Sequence, residues 1–164
     1  MEKKPLIHNT FVIERHYLVS PERVFNAFAD PVKKRRWFVE SRDHELHYYQ
    51  MDFRVGGIEK AGLKLKAEGT PVAGLTCTNE TIYQDIVPNE RIVFASTMSI
   101  ADKHISAALG TIEIHPSKNG TDVVFTHQAV FFEGADGPEM REEGWQKLFE
   151  KLNAELASEL AQKA

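Results

Sequence analysis

Apolar and polar residues alternate along this chain with two different periods, and each change of period marks a change of element. Near the N-terminus Phe11, Ile13 and Tyr17 keep a two-residue rhythm, which predicts a strand over residues 11–19. Ser20-Pro21 then opens a helix. The serine side chain accepts from free backbone N–H groups, and proline's fixed φ suits the first helical place. Val24, Phe25 and Phe28 fall on one face of that helix. Asp30-Pro31 repeats the start signal and predicts a second short helix running toward Trp37.

From His44 the period returns to two. Strands are expected over 44–53 and 58–66, separated at Gly56-Gly57, which reads as a bulge or sheet kink. Gly69, Pro71 and Gly74 make 67–75 a loop. A long strand over 76–87 should point Cys77, Asn79, Thr81, Tyr83 and Asp85 one way and Thr78, Glu80, Ile82, Gln84 and Ile86 the other. Pro88-Asn89-Glu90 turns the chain into 91–98, and Ala101-Asp102-Lys103 into 105–115. Ser117-Lys118-Asn119-Gly120 leads into 121–131, its Asn-Gly pair favouring positive φ. In that last strand Val123, Phe125, His127, Ala129 and Phe131 share one face. Beyond a loop at 133–139 the period becomes helical. Trp145, Leu148, Phe149, Leu152, Leu156 and Leu160 form one stripe, opposite Glu142, Gln146, Lys147, Glu150, Lys151 and Asn153.

The order β-α-α-β-β-β-β-β-β-α, with strands joined by short turns, predicts an α+β fold. A strongly curved antiparallel sheet of about seven strands would wrap the long C-terminal helix, with two short helices after the first strand. Such an arrangement leaves a cavity between helix and sheet. Trp37, Phe53, Tyr83, Phe94, Met98, Phe131, Met140, Trp145 and Phe149, with His127, are the residues expected around it. The plain alternative for most of them is packed core. Gly144 reads either as a point of close helix-to-sheet approach or as part of frayed first turns; in a helix it costs about 1 kcal/mol relative to alanine.

Composition narrows the function. The 164 residues fit a single domain, 1–164. A net charge of -4 opposes nucleic-acid binding, and the basic run Lys33-Lys34-Arg35-Arg36 reads as a solvated helix face. The single Cys77 excludes an intrachain disulfide and a multi-cysteine zinc site. The start, Met1 to Pro5, leads into no long apolar run, and no stretch is long and apolar enough to span a membrane. A cytoplasmic protein is expected by elimination. His44 and His47 point to opposite faces of a strand, so no metal is expected there. Glu80 and Asp85 oppose each other too, and no nucleophile elbow or phosphate loop occurs. No cofactor is expected. His127 is the one ionisable member of an apolar row, placed to exchange a hydrogen bond or a proton with a ligand if that row lines a pocket, or else a hydrogen-bonded core histidine.

Several segments carry a family resemblance. They are Phe11-Val12-Ile13-Glu14-Arg15, Ser20-Pro21-Glu22-Arg23-Val24-Phe25, Asp30-Pro31, Trp37-Phe38 and Phe53-Arg54-Val55-Gly56-Gly57. They continue through Asp85 to Phe94, Gly120-Thr121 and Arg141-Glu142-Glu143-Gly144-Trp145. In this order the chain resembles the helix-grip proteins of the START-like superfamily (SRPBCC, which includes the Bet v type pollen allergens), and within it the activator of Hsp ATPase homologue, or AHSA, type. The resemblance implies a seven-stranded antiparallel sheet and a hydrophobic pocket under the C-terminal helix. Where many relatives carry a Glu-Gln pair in the last strand, this chain has His127-Gln128.

Three functions follow as expectations. The first is binding of a small apolar or aromatic molecule. The second is a protein-interaction module, a chaperone ATPase regulator or a homodimer formed through a sheet edge or outer helix face. The third is a cyclase- or hydratase-type pocket enzyme using His127 or Tyr83 as acid or base. One fold hosts many such functions, so the choice among them rests on the site.

Overall fold

In the computed structural model, which describes residues 4–162, the expected helix starts form as read. β1 (Ile7–Tyr17) leads into α1 (Pro21–Ala29), where Ser20 Oγ accepts from the Arg23 amide at 3.3 Å. Asp30 Oδ1 accepts from the amides of Val32 and Lys33 at 2.9 and 3.1 Å and so opens α2 (Pro31–Lys34). α2 does not stop at Lys34; it widens into a π-helical turn, Arg35–Val39. Such turns insert one residue into a helix and redirect the side chains that follow. Here Trp37 enters the core and donates its indole N–H to the Ala27 carbonyl at 2.8 Å.

Six strands follow: β2 (His44–Met51), β3 (Ile58–Leu65), β4 (Thr76–Val87), β5 (Arg91–Ile100), β6 (Lys103–Ser117) and β7 (Gly120–Phe131). With β1 they form one antiparallel sheet in the order β1-β7-β6-β5-β4-β3-β2, closed at neither end. Bulges at Leu46/Tyr48, Tyr83/Asp85 and Met98/Ser99 interrupt the register. A bulge bends the strand that carries it and raises its twist. The second one corrects the expected face of β4: beyond Tyr83 the alternation slips, so Ile86 packs on the core while Asp85 accepts from Arg91 Nε at 2.6 Å. The last helix, α3 (Pro138–Gln162), lies against this sheet together with α1 and the π-turn. Among the described residues no helix is long and apolar enough to cross a membrane. The start read for a leader falls largely on residues outside those described.

At the β6–β7 hairpin the positive φ belongs to Asn119 rather than to Gly120. Gly120 serves close approach instead, because a Cβ there would sit 2.0 Å from the Tyr17 carbonyl oxygen. Gly110 works similarly in the core: a Cβ would meet the Phe94 ring at 2.2 Å, so its absence lets that ring lie across β6.

The basic run departs most from its reading. Lys33 pairs with Glu159 at 2.8 Å and Arg36 Nε with Glu155 at 3.0 Å, tying α2 and the π-turn to the end of α3. Lys34 is buried, 6% exposed, and donates to Glu59 Oε1 at 2.9 Å and to the Tyr83 hydroxyl at 3.3 Å. Tyr49 donates its hydroxyl to the other carboxylate oxygen at 2.5 Å. Both charges are out of water, so the pair depends on these hydrogen bonds. Burial alone would push the Lys34 ammonium down, but Glu59 and Tyr83 together raise it above its ordinary value. Burial, first of all, also raises the Tyr83 phenol.

Removing one partner strands the other charge. Lys34→Met should destabilise the protein by about 3–5 kcal/mol in denaturant unfolding, while adding Glu59→Leu should restore most of that loss. Because the lysine is raised, its stabilisation should stay level from neutral pH up to the ordinary lysine range and be lost only as pH rises above it.

Candidate functional site

α3 meets the sheet unevenly along its length. Phe149, Leu152 and Leu156 are fully buried and close the core. Leu160, read as part of the same stripe, is 44% exposed beyond the sheet's cover. Toward the helix N-terminus, Met140, Arg141, Gly144, Trp145 and Leu148 stand over a cleft of about 390 Å³. The reason lies in side-chain size: Ala61 of β3, Cys77 of β4 and Ser96 of β5 face this part of the helix, and none is long enough to reach it. Phe38 and Val39 of the π-turn and His44 of β2 close one side; Leu63, Asn79 and Met98 complete the sheet wall.

Gly144 lines the cleft as an exposed residue and does not draw the helix in. A Cβ placed on it meets nothing within 4 Å, so neither close packing nor positive φ demands glycine there.

The inner end of the cleft is polar. His127 is 2% exposed and stacks on Phe11, its cross-strand partner, with ring centroids 4.6 Å apart. Its Nδ1 is buried without a hydrogen-bond partner. The expected satisfied core histidine is therefore not what the fold provides. Beside it Arg141 is held by Asp136 through two bonds, Nε to Oδ2 and Nη2 to Oδ1, each 2.8 Å. The same guanidinium donates to Ser106 Oγ at 2.9 Å and lies over the Phe131 ring. Burial, then the Arg141 charge, lowers His127 to about 4, with Asp136 opposing. The imidazole is thus neutral at neutral pH, with one donor and one acceptor nitrogen. Burial also pushes the Cys77 thiol up, so it stays protonated and weakly nucleophilic.

Of the residues expected around a cavity, Met98, His127, Met140 and Trp145 line the cleft. The other six lie outside its lining. Trp37 packs edge-on against Phe28, and Phe94 stacks over Phe125, with Phe149 on the same ring. Phe53 meets Phe25 and Tyr83, and Phe131 sits under Arg141. Tyr83 belongs to the Lys34–Glu59 cluster and lies outside the cleft lining, so of the two candidate acids or bases only His127 is in the cleft wall. Arg141, Asp136 and the small wall residues were not read from the sequence. The available signal was a row of small side chains at inward positions opposite a bulky helix stripe. Among the described residues no group of three or more His, Cys, Asp or Glu is placed to hold a metal.

A histidine held neutral by burial gains a proton more readily when unfolded, so stability should fall as pH drops below the ordinary histidine value. Between pH 7 and pH 4 this one group should cost about 3 kcal/mol. Unfolding measured across that range should show the slope flatten by up to one proton in His127→Gln; an unchanged slope would contradict the burial of a neutral ring.

The comparisons agree with this architecture. A structure of an uncharacterised protein from Rhizobium leguminosarum is similar at 34% identity and a TM-score of 0.86, covering 94% of this chain and 97% of that one. The Mll3558 protein from Rhizobium loti is similar at 43% identity and 0.79, with 93% and 99% covered. An AHSA1-like protein from Aeromonas hydrophila, at 19% identity and 0.64, covers 92% and 93% and shares the fold. No curated protein matches the chain. Residues 18–157 match the family described as Activator of Hsp90 ATPase homolog 1-like protein, and with that span the chain belongs to this family, a branch of the START-like helix-grip proteins.

Proposed function

We propose that the protein binds a small, largely apolar or aromatic molecule in the cleft beneath the N-terminal half of α3. One observation carries this reading: the helix stripe is fully packed from Phe149 to Leu156 but stands open over Met98, Leu63 and Ala61 before it. Family membership supports a ligand-binding or regulator-type module in general terms. Trp145, Phe38, Met98 and Met140 offer the apolar and polarisable walls such ligands favour. Met140 is 65% exposed and stands at the mouth, where a long flexible side chain adapts to what enters.

A second reading is a protein-contact module. It draws on the family's description and on Val12 and Leu109, which are exposed on the outer face of the sheet. One titration separates the two. Trp145 lines the cleft, whereas Trp37 is sealed with its indole bound to Ala27. An uncharged naphthylamine probe should bind saturably, near the micromolar Kd that corresponds to about 8 kcal/mol. It should quench Trp145 emission, and the quenching should vanish in Trp145→Phe while the probe's own fluorescence still rises. A contact module with an idle cleft leaves Trp145 unquenched at every probe concentration.

A further inference from the structure

We propose that the cleft selects an uncharged ring compound bearing a hydroxyl group, which hydrogen-bonds the imidazole of His127 while the ring lies between Trp145 and Met98. The inference rests on the cleft being a ligand site and names the chemistry that site recognises.

The polar end of the cleft leaves one group to be satisfied. His127 is part of its wall, is almost wholly buried, and keeps Nδ1 without a partner. A buried polar atom in that state favours any occupant that can bond it. Arg141 offers little to an anion, because its charge is already matched by Asp136 through Nε and Nη2, and Nη2 also donates to Ser106. A ligand carboxylate placed there would face the Asp136 carboxylate and a cation already paired with it. The imidazole itself is neutral at neutral pH and supplies no charge.

A neutral imidazole has one N–H donor and one bare acceptor nitrogen, and the tautomer decides which is which. A hydroxyl both donates and accepts, so it suits the unpartnered Nδ1 in either tautomer. A carbonyl or a carboxylate only accepts. A plain hydrocarbon leaves the histidine as it is and gains only from the apolar walls. The rim carries charges of both signs, Lys147, Lys151 and Asp43, and Lys151 lies within the field of Asp43. Lys151 is in addition occupied by the Glu40 carbonyl. That leaves Lys147 as the rim cation through which a carboxylate would compete.

Three probes of one shape test this: naphthalene, naphthol and naphthoate, titrated at neutral pH by calorimetry and by Trp145 quenching. Naphthol should bind about tenfold tighter than either of the others, the worth of one well-placed hydrogen bond in a dry site. His127→Leu should abolish the preference, so that naphthol and naphthalene bind this variant with equal affinity. In the unaltered protein, the ring-nitrogen NMR resonances of His127 should shift with naphthol and stay in place with naphthalene; this decides the matter should the variant fail to fold. Equal affinities, a preference for naphthoate, or His127 nitrogens that ignore naphthol would overturn the hydroxyl assignment while leaving the cleft as a ligand site. Failure of all three probes to bind would remove both.

Discussion

The grip between α3 and the sheet is the constraint on which the rest depends. A helix of 25 residues with one apolar stripe needs a surface to cover it, and the sheet covers only part. Large rings meet the helix around Phe149, where Phe125 fills the space beneath and the Tyr17 hydroxyl donates to the Phe149 carbonyl at 3.2 Å. Small side chains meet it around Gly144. The same helix therefore closes the core at one end and roofs a cleft at the other. A change of side-chain size along three neighbouring strands is enough to produce that difference.

The position of the roof is fixed from outside as well. Lys33 and Arg36 reach Glu159 and Glu155, and although exposed pairs of this kind are worth little singly, they join α2 and the π-turn to one helix face. Lys34 turns the other way, into the sheet. Its ammonium lies 4.8 Å from the Phe38 ring, and Phe38 is part of the cleft wall. The π-turn thus divides consecutive residues between two jobs: Trp37 goes to the core and Phe38 to the cleft. The buried Lys34–Glu59 pair anchors that turn against β3, and this is the structural use of a charge pair whose desolvation offsets much of its attraction.

Local chemistry was legible in the sequence, and long-range pairing was not. The caps at Ser20 and Asp30 depend on residues two or three apart, so they could be read directly. The turns that set the antiparallel order were legible for the same reason. The helix stripe was legible as a stripe, but a stripe does not say which of its members meets a phenylalanine and which meets a serine. Lys34 and Glu59 lie 25 residues apart and are joined only by the fold, so a four-residue basic run read as a solvated face. The bulge after Tyr83 obeys no residue pattern strong enough to announce it, and it reversed the faces of Asp85 and Ile86. The candidate site is half visible in the sequence for one reason: bulky aromatics mark a core or a lining alike, and large residues fill space whereas small ones leave it.

The central claim is that open space lies beneath the first turns of α3, and Gly144 reports on it most directly. Gly144 is an exposed member of the cleft lining, and nothing lies within 4 Å of a Cβ placed on it, so a large side chain there can fold over the cleft without a clash. Replacing a helical glycine also favours the helix, by up to about 1 kcal/mol. Gly144→Phe, followed by thermal unfolding and probe titration on the same sample, should leave Tm unchanged or raised while binding is lost. A marked fall in Tm would mean that the space is already filled, and full retention of binding would mean that the ligand sits elsewhere; either result would contradict the account.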